Sequence, residues 1–299
     1  MKLVAAKDEV QKEPQVVSRS HWQIVGRRMR RYPLAIAGIV LLAFFSLVSL
    51  FAPVIAPYNP SAIDTTRLAE APSEDHWLGT DRLGRDVLSR LIYAGRISLS
   101  VGLVAVSIYT TIGLILGSLA GTIGGALDNA IMRFADLLLC FPFLPMVIVV
   151  VYVVGPSIYN VMLVIGLLGW PSIARLVRAE LLALREQDYA QAAVAIGSST
   201  SRLAFRHLMP NALAPVVVAA TFGVASAILT EAGLSFLGLG VQLPTPSWGN
   251  MLFEAQNLVA ISRMPWLWIP PGIAIFISVL SINLIGDALR DALDPSLKE

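Results

Sequence analysis

The sequence predicts an all-α membrane protein with six transmembrane helices, and three observations carry that prediction. First, 56% of the 299 residues are apolar and only 14% are charged, where soluble domains carry about 25% charged residues. A core of this size cannot hide so much apolar surface, so lipid must be part of the solvent. Second, the apolar residues gather into runs close to the length, about 20 residues, that a helix needs to cross a hydrocarbon layer. Third, Lys and Arg are spread unevenly over the segments joining those runs, as they are in membrane proteins of fixed orientation.

The runs are 34–56, 98–120, 137–154, 158–173, 212–234 and 266–285. Helices are the expected form, because only a helix satisfies all its backbone polar groups within one segment in lipid. The first run starts late and has the length of a full span, so it reads as an uncleaved first helix. Along the second span lie Gly113, Gly117, Gly121 and Gly125, each four residues apart, a stripe that lets a neighbouring helix approach closely. The third span is entered through 131–136 and contains Cys140, the one cysteine. Without a disulfide partner or a basic neighbour, Cys140 reads as a small buried side chain. The fourth span is short and broken at Trp170-Pro171. Glu231 falls near the end of the fifth, and Asp287 follows the sixth.

Orientation follows from the positive-inside rule. Lys2, Lys7, Lys12, Arg19, Arg27, Arg28, Arg30 and Arg31 precede the first span and place the N-terminus in the cytosol. The inner side then also receives Arg133, Arg175, Arg178, Arg185, Arg202, Arg206, Arg290 and Lys298. The outer side receives Arg67, Arg82, Arg85, Arg90, Arg96 and Arg263. Both termini are expected inside. The expected organisation is a cytosolic tail over 1–33, a membrane domain over 34–287 with an inner loop at 175–211, and a cytosolic tail over 288–299. In the first outer loop, Leu83, Val87, Leu88, Leu91 and Ile92 recur with helical spacing, so 81–99 reads as a segment lying along the membrane surface.

Enzymatic parts are missing from the pattern. His21, His76 and His207 lie in different loops with no second ligand at metal-site spacing. No glycine-rich loop ends in Lys-Ser or Lys-Thr, so no P-loop nucleotide site is expected, and no cofactor is expected in this chain. The net charge of +2 gives no reason to expect a nucleic-acid partner. Asp136, Glu231 and Asp287 all fall near span ends, where water is close, which offers structural hydrogen bonding and no proton relay. Energy for uphill movement should then come from elsewhere.

The inner loop is the richest segment. An alanine-rich helix through Tyr189, Ala190, Gln191, Ala192 and Ala193 would run to about Ile196, with Gly197 as its stop. Ser198, Ser199 or Thr200 can cap a second helix, which would end before Pro210. Small alanines would admit a partner surface, and Arg202 and Arg206 could pair with acids on it. The segment reads as a docking element or as a plain connection.

Gln191-Ala192-Ala193, three residues, Gly197 and then Met209-Pro210 resembles the "EAA" loop of bacterial ATP-binding-cassette importer permeases, with Gln191 in place of the usual Glu and Met209 in place of Leu. The stretch from His76 to Arg90, the run from Leu234 to Gly240 with Pro244, Pro246, Trp248 and Gly249, and the tail from Asn283 to Pro295 are similar to blocks of the dipeptide/oligopeptide/nickel permeases. The match covers most of 27–299 and is nearest the "C" subunit of dipeptide and oligopeptide systems, glutathione-type members included. The resemblance implies a type I importer permease fold in a bacterial or archaeal plasma (inner) membrane. It implies a second homologous permease, two ATPase subunits that bind ATP and Mg, and an extracytoplasmic solute-binding protein as partners. Tyr189–Ala193, Gly197, Arg202, Arg206 and Pro210 would couple to an ATPase. Asp81, Gly84, Arg85, Asp86, Pro244, Pro246 and Trp248 would form the outer mouth facing the binding protein, or else brace the helix ends. The expected cargo is di- or oligopeptide. Nickel, a metal chelate or an oligosaccharide is the alternative within the family, and an ATP-independent secondary carrier the alternative outside it.

Overall fold

The computed structural model describes Gly26, Met29, residues 32–199 and residues 202–293. The expected N-terminal tail with its basic cluster therefore lies almost wholly outside the described residues, as does Lys298. Among the described residues the chain is helical, with one isolated antiparallel bridge, Thr80 to Asp86, and no strand.

Helix α1 (Pro33–Leu50) opens on Pro33, whose missing N–H is no loss in the first turn. It carries no charge and exposes Leu34, Val40, Phe44, Leu47 and Leu50, a surface that suits lipid. A one-turn helix, α2 (Ala52–Ile55), follows. A non-helical loop then leads to α3 (Val87–Ile123), the spine of the molecule, 37 residues long and so about 55 Å from end to end. The expected surface segment at 81–99 is not separate: from Val87 onward it is the first part of α3. Asp86 makes that start possible, because its side chain accepts from the Ser89 N–H at 2.7 Å.

The third span is not straight. α4 (Gly125–Leu139) and α5 (Phe143–Val154) meet at 87°. Pro142 disfavours a helical conformation in its predecessor, and Gly124 and Gly125 stand at positive φ where α4 begins. Cys140 lies exposed at the bend, not buried as expected, because the turn carries it away from any neighbour.

The fourth span is longer than expected. α6 (Ile158–Leu168) passes through Gly169 into α7 (Trp170–Arg185), and the two form one stretch long enough to cross the membrane. Pro171 sits in the first turn of α7, where a proline does not interrupt hydrogen bonding. Arg175, Arg178 and Arg185, expected in the inner loop, are on α7, so that loop begins at Glu186. After α8 (Asp188–Ala195) a π-helical turn (Leu203–Leu208) runs directly into α9 (Met209–Phe236). The helix expected to stop before Pro210 continues through it. The wider turn just before Pro210 gives its ring room against the preceding carbonyls.

Two short helices follow, α10 (Trp248–Glu254) and α11 (Leu258–Arg263). The last helix is α12 (Pro265–Leu293), so the expected tail at 288–299 begins inside a helix. Among the described residues five helical stretches are long and apolar enough to cross a membrane, and six if the bent α4–α5 pair is one span.

The core forms along α3. Where Gly113, Gly117 and Gly121 face α7, an added Cβ would stand 2.6 Å from Ile173 Cβ, 2.6 Å from the Ala174 carbonyl oxygen and 3.0 Å from Leu181 Cβ. Gly125 does not share this seam: it lies beyond the end of α3 with no atom within 4 Å of a Cβ. Val177, Ala174 and Leu181 are buried against the same face.

Candidate functional site

At one end of the bundle, α7 ends in two overlapping turns, with Glu186 and Gln187 N–H groups bonded to the Ala183 and Leu184 carbonyls at 3.3 Å each. Gln187 is extended and redirects the chain. The eight residues of α8 follow, and the side chain of Gln191 donates back to the Glu186 carbonyl at 3.1 Å. That bond turns Gln191 toward its own chain.

The C-terminus of α8 is a Schellman stop. The Ser198 N–H reaches the Ala193 carbonyl at 3.0 Å and the Gly197 N–H reaches the Val194 carbonyl at 2.9 Å. Gly197 has φ +84° and open space where a Cβ would stand, so glycine is needed there for backbone freedom and not for room.

The helix presents two unlike faces. Ala190 and Ala193 are buried in the same apolar cluster as Leu203 and Leu208 of the π turn. Tyr189, Gln191, Ala192, Val194 and Ile196 are exposed, Ile196 at 87%. Phe205, Arg202, Arg206 and Pro210 are exposed beside them. The result is a small, rigidly based apolar knob with arginines at its flank. The structure thus brings together most of the inner-loop residues singled out in the sequence, and it divides them: alanines at 190 and 193 seat the knob, and the rest form its surface.

The opposite end is built from buried charge. Asp81 accepts from Arg85 Nε at 2.6 Å and from the backbone N–H groups of Leu83 and Arg85. Arg85 also donates to Glu254 Oε2 at 2.7 Å, and Arg90 to Glu254 Oε1 at 3.1 Å and to the Pro60 carbonyl. Two guanidinium groups and two carboxylates therefore balance, which is what lets them be buried. Asp86 joins His76 Nδ1 at 2.9 Å while capping α3.

Trp248 is 1% exposed; its indole N–H donates to the Leu91 carbonyl, and Phe45 meets its ring edge-on. Gly84 and Pro246 are also buried, and of the seven residues expected at an outer mouth only Pro244 is exposed. The other six are buried within the chain. Exposed large apolar side chains at this end include Trp77, Leu83 and Leu243. Against Gly84, Asp64 is held below the usual carboxylate range by hydrogen bonds from the Thr66 hydroxyl and N–H.

Glu231, expected near water, is fully buried. Ser98 donates to its Oε2 at 3.1 Å and Ser235 to its Oε1 at 2.7 Å, while Ser98 accepts from the Trp248 N–H and Ser235 from the Val241 N–H. The extra length of α9 and the folding back of α10 remove the water that the position in sequence suggested. Glu254 was not singled out in the sequence at all, since its partners are 164 and 169 residues away.

A broken-helix bundle with a short knob at one end, a buried polar brace at the other and an apolar belt between them defines a polytopic membrane permease. Residues 113–299 match the family described as binding-protein-dependent transport system inner membrane component. Residues 20–72 match the N-terminal transmembrane domain of oligopeptide transport permease C. The chain belongs to the family of binding-protein-dependent transport system inner membrane components. It is 40% identical over 290 residues to the dipeptide transport system permease protein DppC of Alkalihalophilus pseudofirmus, covering 96% of this chain and 93% of that one. It is 40% identical to the oligopeptide transport system permease protein OppC of Bacillus subtilis, covering 94% and 92%. It is 42% identical to the glutathione transport system permease protein GsiD of Escherichia coli, covering 94% and 92%. Among solved structures, the inward-facing MetNI methionine ABC transporter matches with TM-score 0.56 at 19% identity, over 69% of this chain and 96% of that one. The fold is that of a type I importer permease.

Proposed function

We propose that this chain is one of two homologous permease subunits of an ATP-driven importer of di- or oligopeptides, worked from the cytosol through α8. The observation that carries the reading is the α8 knob: an exposed apolar surface of Tyr189, Val194, Ile196 and Phe205 on a buried alanine base, held in place by the Gly197 stop. An exposed apolar cluster flanked by charge suits a protein partner. Two ATPase subunits bind ATP and Mg, and one of them grips the knob. Arg202 and Arg206 meet acids on the ATPase. Both termini and α8 lie on the cytosolic side, by the distribution of Lys and Arg. At the outer end an extracytoplasmic binding protein delivers solute to a collar that includes Trp77, Leu83, Leu243 and Pro244. Peptide cargo is favoured by the dipeptide, oligopeptide and glutathione names of the relatives.

The test uses the assembled complex in liposomes. A side chain at Gly197 must adopt φ +84°, which costs about 1–2 kcal/mol, enough to unwind or redirect the stop. Gly197→Leu should depress transport and solute-stimulated ATP hydrolysis, and a crosslinker on Ile196→Cys should capture an ATPase subunit. Wild-type rates in Gly197→Leu, together with no ATPase captured at position 196, would sink the proposal.

A further inference from the structure

Helix α4 is detached from the chain at both of its ends. Gly124 before it and Gly125 at its first position stand at φ +69° and +63° with open space around each, so no continuous helix links α4 to α3. The turn at 140–142 separates it from α5 at 87°. An element between two such breaks takes its position from side-chain attachments.

The ion pairs and the ring contact of α4 run to α7. Arg178 donates through Nε and Nη2 to Asp128 Oδ1 and Oδ2 at 2.6 and 2.7 Å, the two-pronged geometry that fixes direction as well as distance. Arg175 pairs with Asp136 two turns further along α4. Phe134 stacks on Trp170, at the start of α7, ring centres 5.9 Å apart and planes 24° apart, and Ala135 is fully buried. Asp128 meets Arg178 and Asp136 meets Arg175, so the two helices run antiparallel and are tied at two levels. α7 in turn continues through one turn at 186–187 into α8.

We propose that the Asp128–Arg178 pair, supported by Asp136–Arg175, is a transmission clamp: it makes α4 travel with α7 and α8 as one body, so that displacement of the knob reaches α5 and the solute path. The four residues are positioning residues and touch no solute. The proposal rests on the reading of α8 as the element gripped by an ATPase. The double glycine lets α4 leave the axis of α3 to follow α7, and the bend at 140–142 is where the motion of the unit passes to α5.

The experiment uses the complete transporter in liposomes, with spin labels at exposed Asn129 of α4 and Ala183 of α7. In the wild type the label distance should stay fixed between the nucleotide-free and ATP-trapped states; in Asp128→Asn it should broaden. Asp128→Asn and Arg178→Gln should each keep basal ATP hydrolysis and lose solute moved per ATP by about five-fold or more, the scale of a typical coupling between sites. The reciprocal variant Asp128→Arg with Arg178→Asp should restore most of that ratio. A residue pair that only stabilises the fold would lower melting temperature and leave the ratio unchanged. A wild-type label distance that shifts on trapping overturns the clamp, and so do single variants with a normal ratio. If Gly197→Leu keeps wild-type rates and position 196 captures no ATPase, the coupling reading falls by itself, and the label distance still decides whether α4 and α7 form one body.

Discussion

Replacing Gly117 tests how closely α3 and α7 pack. A Cβ there would stand 2.6 Å from the Ala174 carbonyl oxygen, 2.8 Å from Val177 Cβ and 3.0 Å from Ala174 Cα. Ordinary contact begins near 3.4 Å, so α7 must withdraw by about 0.8 Å even for alanine. Two of the three atoms are backbone, so no rotamer change relieves the clash. A gap of that size forfeits roughly a quarter to a half of the dispersion attraction along the seam. In lipid that attraction, and not the release of water, is what holds helices together. Overpacking costs about 1–3 kcal/mol, while alanine in place of glycine inside a helix returns about 1 kcal/mol. Gly117→Ala should therefore destabilise by about 1 kcal/mol net, and Gly117→Leu, with three more carbons for the same gap, by about 3 kcal/mol. Gly233 is the control: it lies inside α9 with no atom within 4 Å of a Cβ, so Gly233→Ala should stabilise by about 0.5–1 kcal/mol. Thermal unfolding in detergent should rank Gly233→Ala above wild type, then Gly117→Ala, then Gly117→Leu. A Gly117→Leu protein that melts with the wild type would refute the close approach of α3 and α7.

Two further substitutions probe the buried polar groups. Glu254→Gln removes the carboxylate shared by Arg85 and Arg90 while Asp81 still faces both; the loss should be about 2–3 kcal/mol, short of the full penalty for an orphaned buried charge, and an unchanged melting temperature would mean the network is idle. Glu231→Leu leaves the Ser98 and Ser235 hydroxyls without their acceptor and should cost about 2–4 kcal/mol, whereas Glu231→Gln keeps an acceptor and should cost about 1 kcal/mol; equal melting of the two variants would contradict that ranking.

The spans were legible because lipid imposes length and apolarity on each segment separately, so 34–56 and 266–285 could be found without knowing any neighbour. Gly197 was legible for a related reason: a helix stop is a local problem, and the alanine run before it left one residue able to adopt positive φ. What misled was position along the chain taken as depth in the membrane. Glu231 is near the end of an apolar run, but α9 does not stop where the apolar run does, and α10 folds back to cover it. Pro171 and Pro210 read as breaks because proline usually ends a helix; at the first turn of α7 and after the π turn it ends nothing. The stripe at Gly113, Gly117 and Gly121 meets α7, while Gly125 fell out of it because Gly124 had already turned the chain. The Asp128–Arg178 and Asp136–Arg175 pairs could have been suspected from acids two turns apart on one amphipathic helix and arginines one turn apart on another. Arg85, Arg90 and Glu254 left no such trace, since nothing local to residue 254 announces partners so far away.

The two ends of the bundle differ in how they are held, and that difference bears on how a push at α8 would travel. Around Asp81, Arg85, Arg90 and Glu254, side-chain bonds tie the loop before α3 to α3 and α10, and the Trp266 indole N–H adds α12 through the Thr80 carbonyl. Opening that end would expose several buried charges at once, so it should resist small displacements. At the other end α8 is anchored by two alanines, one glutamine and its own terminal turns, and its exposed surface is bonded to nothing across the chain that could hold it fast. Force applied there travels along the uninterrupted turns of α7, and from α7 it reaches α3 through the glycine seam and α4 through the ion pairs. A bundle pinned at one end and driven at the other rotates about the pinned end, so small shifts at α8 become larger separations along the α4–α5 bend, where Gly124, Gly125 and Pro142 leave the backbone free to follow.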